Sequence, residues 1–336
     1  MPAASPGYRR LALATVTATF VLIVVGGIVR VSDSGLGCGP GGSGLHGWPL
    51  CRGDVVPGTQ VHAIVEYTHR TAASVVALLW LGLAVMAWRR YRSLRLVTTA
   101  GFGLVVAQGL LGALVVDKNL QEGLVAGHLG LAMLLFALSI YVLRAVRGAG
   151  APLRVPGRFR ALAFGAQAAL FGAIVAGGYM AGSEKEGLAI WAKTQHLRGA
   201  HYAGAHFACG HQFPTCNGGF LPFGSKLVNI HLTHRVFVYL TTILVIALVV
   251  AVVRRRPSES MVRAAWIASG LLALQVLLGA LNVWLGDEYA ALVVAHLTTA
   301  TLLWATVTTI NIQLVRAPIV EPSPERHVGR AEPVTA

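Results

Sequence analysis

Four histidines stand inside long apolar stretches of this 336-residue chain: His69, His128, His234 and His296. Ionisable side chains are costly in such surroundings and mark functional candidates. Each lies about two helical turns from one end of its stretch, roughly 8–10 Å along the axis. Two facing imidazoles at one depth, carried by parallel helices of a bundle, suit axial ligation of a haem iron. Zinc fits less well, because no cysteine lies in those stretches and Glu66 is the only carboxylate near any of the four. For any single histidine the structural alternative is a core residue bonded to a neighbouring helix. Four in a repeated pattern argue against it.

Glu66 precedes His69 by one helical turn, whereas the residue in that place ahead of His234 is His231. At i, i+4 and i+7, His62, Glu66 and His69 share one helix face. A carboxylate beside an iron ligand can work as an acid or a base. The alternative is an ion pair with Arg70 at the helix mouth. On the functional reading the halves are specialised: the one with Glu66 performs chemistry, and the other holds a permanent, electron-carrying haem. Arg70 and Arg235 directly follow two of the ligand candidates. Their guanidinium groups suit a haem propionate, and snorkelling to the membrane interface is the other reading.

The elements that must position these residues are membrane spans. Apolar residues make up 55% of the chain and charged ones only 12%, against about 25% charged in a soluble domain. Eight candidate spans, each near the roughly 20 residues a bilayer requires, run over 11–29, 62–88, 96–116, 123–143, 161–181, 229–253, 261–284 and 290–315. The first follows Arg9 and Arg10 and reads as a retained helix, not a signal peptide. Two long loops, 30–61 and 182–228, lie on one side of the membrane.

The net charge of +14 assigns the sides. Arg9, Arg10, Arg89, Arg90, Arg92, Arg95, Arg144, Arg147, Arg154, Arg158, Arg160, Arg254, Arg255, Arg256, Arg263, Arg316, Arg326 and Arg330 all fall opposite the long loops. Only Glu259, Glu321, Glu325 and Glu332 oppose them there, so that side carries the entire excess. Both termini are expected in the cytoplasm and both long loops outside, in a bacterial-type plasma membrane. The basicity reports orientation and contact with the lipid bilayer, not nucleic acid.

The second half echoes the first. Gln108-Gly109-Leu110-Leu111-Gly112-Ala113-Leu114 answers to Gln275-Val276-Leu277-Leu278-Gly279-Ala280-Leu281. Trp48-Pro49-Leu50-Cys51 answers to Phe213-Pro214-Thr215-Cys216, and the histidines match at offsets of 165 to 168 residues. Such constancy indicates duplication. The expected fold is all-α and integral to the membrane, with eight transmembrane helices as two pseudo-symmetric four-helix bundles. Residues 1–150 form the first half, with the catalytic site, and 151–336 the second, with a cytoplasmic tail.

All four cysteines lie in the long loops, where Cys38–Cys51 and Cys209–Cys216 pair naturally on an oxidising face. A structural staple and a redox-active dithiol are both open readings. The second loop also holds His196, His201, His206 and His211. Their five-residue steps do not stack on a helix face, so a polar loop is expected there.

The joint set Gly26-Gly27-Ile28-Val29-Arg30, Ser34-Gly35-Leu36-Gly37-Cys38, Trp48-Pro49-Leu50-Cys51, Glu66-x-x-His69-Arg70, Gln108-x-x-Leu111-Gly112, His128, His234-Arg235 and Asn282-Val283 before His296 resembles the haem A synthase family. The resemblance covers about residues 8–315. It implies an oxidoreductase that converts the C8 methyl of haem O to the formyl of haem A, by two hydroxylations with oxygen from water and loss of water from the gem-diol. It implies substrate haem O on His69 and His128 with Glu66 essential nearby, and haem b on His234 and His296. It also implies haem O synthase (protohaem farnesyltransferase) and the cytochrome oxidase assembly machinery as partners, an electron acceptor of unknown identity, and a homo-oligomer as one form of the protein. This chain departs from the family pattern in the Gly-rich insertion between Cys38 and Cys51 and in the segment around Glu184–His206.

Two other function classes compete. A di-haem electron carrier linked to quinol would have no need of a carboxylate in one half only. A small-solute transporter predicts broken spans or polar mid-membrane helices, and the sequence has neither.

Overall fold

The computed structural model describes residues 4–148, 151–183, 204–285 and 290–315. The described residues hold eight helices long and apolar enough to cross a membrane. In chain order they are α1 Pro6–Val31, α2 Val61–Arg90, α3 Arg95–Asp117, α4 Glu122–Val146, α5 Gly157–Gly182, α6 Lys226–Arg255, α7 Glu259–Trp284 and α8 Ala290–Ile312. At 1.5 Å per residue even the shortest exceeds the hydrocarbon thickness of about 30 Å. Most extend beyond the spans expected from hydropathy, because polar caps and basic last turns carry the helix into the interface. Ser5, Ser225 and Ser258 accept from the N–H groups of Tyr8, Val228 and Met261. Arg89, Arg90, Arg254 and Arg255 occupy final turns, where cations meet the negative end of the helix dipole. The last helix ends earlier than expected, in a turn from which Gln313 accepts from Ser258 and Ser260.

Packing follows the repeat. In the first half α1 contacts α2 and α4, and α3 contacts α2 and α4; in the second, α5 contacts α6 and α8, and α7 contacts α6 and α8. The halves meet where α4 lies on α5 and where α8 lies on α1 and α4. Trp304 of α8 donates to the Met133 carbonyl of α4 at 2.9 Å, inside a buried cluster with Phe136, Phe159 and Leu303. A second cluster, built on Tyr8, Trp80, Leu83 and Leu94, belongs to the first half, and there the Tyr8 hydroxyl donates to the Leu83 carbonyl at 3.1 Å. Large apolar side chains such as Leu78, Leu96, Leu110, Ile243, Trp266 and Leu277 point outward. Water would penalise that surface, and lipid would not.

The loops match as well. Disulfides join Cys38 to Cys51 and Cys209 to Cys216. Each loop has a cis X-Pro bond, Trp48–Pro49 and Phe213–Pro214, and a short bridge past its second cysteine, Cys51 to Asp54 and Cys216 to Gly219. His196, His201, the Glu184 segment, the boundary at 150/151 and the tail beyond 315 lie outside the described residues.

Candidate functional site

α2 carries Glu66, His69 and Arg70; α4 carries His128; α6 carries His231, His234 and Arg235; α8 carries His296. His69 and His234 sit eight residues past the starts of their helices and His128 and His296 six past theirs, about 12 and 9 Å in. All four rings are half-buried. His69 and His128 lie near enough to interact electrostatically, and so do His234 and His296.

Each ring rests on a glycine of the preceding helix. A Cβ at Gly26 would stand 3.3 Å from His69 Nε2; at Gly112, 3.0 Å from His128 Cε1; at Gly177 and Gly279, 3.1 Å from the Cε1 atoms of His234 and His296. These contacts are tighter than the 3.5–4.0 Å optimum for carbon atoms, so the imidazoles occupy the volume that any side chain there would fill. Two of the glycines begin a pair whose second member touches the other half. A Cβ at Gly27 would meet Leu297, next to His296, at 2.7 Å; one at Gly178 would meet Leu129, next to His128, at 3.1 Å. The Gly177–Gly178 pair does not register in the repeat because it sits 151 positions after Gly26–Gly27, not at the common offset. The difference is the extra length of the second loop.

Hydrogen bonds orient the rings. His234 Nδ1 bonds the Ala173 carbonyl at 2.9 Å; a carbonyl only accepts, so the proton is on Nδ1 and Nε2 keeps its lone pair. Gln108 Nε2 donates to the His128 carbonyl at 2.8 Å, and Gln275 Nε2 lies 3.1 Å from His296 Nε2. The Nδ1 atoms of His128 and His296 are buried without a hydrogen-bond partner. Among the described residues no three His, Cys, Asp or Glu side chains converge as metal ligands. Two imidazoles with glycine beds therefore fit a metal that brings its own in-plane donors, and a haem is such a group.

The residues beside the histidines fasten the loops. Buried Glu66 accepts from the Cys38 N–H at 2.8 Å and from Arg70. Arg70 also donates to the Leu50 carbonyl at 3.0 Å. His62 Nδ1 and Ser34 Oγ, 3.0 Å apart, add a further tie. In the second half His231 Nδ1 donates to the Ala205 carbonyl at 2.8 Å. Arg235 donates to the carbonyls of Gln212 and Thr215 at 2.8 and 2.7 Å. Glu66 and His231 thus both bond their own loops but with opposite polarity, one accepting and the other donating, and only Glu66 brings a carboxylate. The ion pair with Arg70 and a place beside the histidine hold together for Glu66.

Residues 9–308 match the family model COX15-CtaA, described as cytochrome oxidase assembly protein. The chain belongs to this family. The matched stretch contains His69, His128, His234 and His296, Glu66 and all four cysteines. Among curated relatives, the Heme A synthase of Symbiobacterium thermophilum is 30% identical over 283 residues, covering 81% of this chain and 84% of that protein. The Heme A synthase of Halalkalibacterium halodurans is 27% identical over 241 residues, covering 69% and 71%. That of Bacillus pumilus is 33% identical over 148 residues, covering 41% and 46%. For a member of the COX15-CtaA family, eight membrane-length helices among the described residues make a multi-pass membrane protein.

Proposed function

We propose that this chain is a haem A synthase, an oxidoreductase that converts the C8 methyl of haem O to the formyl of haem A. The observation that carries the division of labour is the break in the repeat: Glu66 in one half, His231 in the other, beside otherwise matching histidine pairs. His69 and His128 hold the substrate haem O, and His234 and His296 hold haem b. Residues 1–150 then form the substrate half and 151–336 the haem b half.

A bound haem iron supplies the redox chemistry. Turning a methyl into a formyl with one oxygen from water releases four electrons and four protons, so a resident base is needed near the substrate. Glu66 is that base. Arg70 and the Cys38 N–H hold its two oxygens, which fixes the carboxylate against the loop and next to the ligand helix. The lone pair on His234 Nε2, kept by the bond from Nδ1 to Ala173, is ready for iron. Arg70 and Arg235 clamp the loops, and a propionate contact would use the guanidinium N–H groups left over.

The arginine distribution supports cytoplasmic termini and outer cysteine loops. A haem O synthase supplies the substrate and the cytochrome oxidase assembly machinery takes the product, while an external acceptor removes the electrons. The test is to co-express the chain with a haem O synthase and separate the extracted haems chromatographically. Haem A or its alcohol intermediate is expected from the wild type and only haem O from Glu66→Gln. Haem O alone from the wild type refutes the assignment.

A further inference from the structure

We propose that Gln108 and Gln275 are positioning residues of the two histidine pairs, and that Gln275 sets the hydrogen-bond state of His296; this rests on the haem-ligand reading above. The two glutamines open the repeated segments Gln108-x-x-x-Gly112 and Gln275-x-x-x-Gly279. At i and i+4 they share a helix face with the glycine on which the next helix's histidine rests. Each amide reaches that same histidine. Gln108 bonds the backbone carbonyl of His128 at 2.8 Å, and Gln275 meets the His296 ring at Nε2, 3.1 Å away.

With the amide nitrogen turned to the ring, Gln275 donates and His296 Nε2 accepts, which puts the ring proton on Nδ1. That is the tautomer a metal needs, with the lone pair on Nε2. The partner histidine reaches the same state by the opposite route, since His234 gives its Nδ1 proton to the Ala173 carbonyl. One pair is therefore set from both sides: a carbonyl acts on Nδ1 of one ring and an amide on Nε2 of the other.

The bonding around Gln275 is left incomplete. His296 Nδ1 and Gln275 Oε1 are both buried without a partner, and so are His128 Nδ1 and Gln108 Oε1. Buried polar atoms in native proteins are nearly always paired. For Gln275 and His296 the two orphaned atoms stand on side chains already in contact, and for Gln108 and His128 on residues joined through the His128 backbone carbonyl. Iron and the Gln275 amide compete for one lone pair. Once displaced, the amide has an unfilled acceptor beside a ring with an unfilled donor. An acceptor for the second ring nitrogen raises the basicity of a ligand histidine and tunes the metal.

The test uses the full-length protein, purified with haem bound, as Gln275→Leu, Gln275→Glu, Gln108→Leu and His296→Ala variants. The readouts are the low-spin spectrum, the haem midpoint potential and haem loss to apomyoglobin. Gln275→Glu is expected to lower the potential and Gln275→Leu to raise it. Gln275→Leu should also hold haem about tenfold or more less tightly, and Gln108→Leu should leave the second-half spectrum unchanged. Wild-type potential and retention in both Gln275 variants, with the spectrum lost in His296→Ala, overturns the inference alone. A spectrum that survives His296→Ala overturns the ligand reading beneath it. Should Gln275→Leu fail to fold, the sign of the shift in Gln275→Glu still decides.

Discussion

Replacing Gly177 by alanine tests the glycine beds most directly. The new methyl would stand 3.1 Å from His234 Cε1 and 3.3 Å from Nδ1, about half an ångström inside the carbon–carbon optimum. The ring cannot simply retreat, because its Nδ1 is bonded to Ala173 at 2.9 Å. Two outcomes are open to the side chain. If the ring moves, the bond is lost, costing about 1 kcal/mol; if it stays, overpacking costs about 1–3 kcal/mol. Either way the Nε2 lone pair is misplaced, and a loss of about 1.4 kcal/mol in ligation is a tenfold drop in haem affinity. The assay is titration of haem into the purified variant, followed by the low-spin band and by thermal unfolding. Gly270→Ala is the control: its Cβ meets nothing within 4 Å, so the same change in a second-half helix should be neutral or stabilise by about 0.4–1 kcal/mol. Wild-type affinity and spectrum in Gly177→Ala would refute the reasoning.

His234→Ala and His296→Ala should each remove a low-spin haem b spectrum that His69→Ala spares; retention of the band in the first two contradicts the ligand assignment. Arg70→Ala strands a buried carboxylate whose partner is itself only 15% exposed, and should cost roughly 3–5 kcal/mol in stability. Adding Glu66→Gln to it should restore most of that loss in a thermal melt, and an additive double variant would deny the coupling. Mass spectrometry without reductant should find Cys38 bridged to Cys51 and Cys209 to Cys216, and free thiols in protein prepared under air would contradict the staples. Reporter fusions after residue 336 should be active only in the cytoplasm.

The spans, the matched histidines and the cysteine pairs were legible because each leaves a local or periodic mark: an apolar run, a constant offset, a pair of cysteines in one loop. What the sequence concealed is mostly contact across helices. Arg70 and Arg235 are visible as cations next to a histidine, but their loop carbonyl partners belong to backbone and carry no side-chain signal. Glu66 offered two readings, and its bond to the Cys38 N–H joins residues 28 positions apart. Gln108 and Gln275 were visible as repeated residues, yet nothing in composition says that each amide lands on the next helix's histidine. The Gly177–Gly178 pair was hidden by a change in loop length.

Those glycine pairs have a consequence for how the two halves are joined. Gly26 backs onto His69 while Gly27 backs onto the neighbour of His296; Gly177 backs onto His234 while Gly178 backs onto the neighbour of His128. At each crossing the halves thus meet with a leucine side chain, Leu297 or Leu129, lying directly on bare helix backbone. Larger side chains across either pair would therefore press on a histidine of one half and on the neighbour of a histidine in the other, so the two sites share a wall that a single helix supplies.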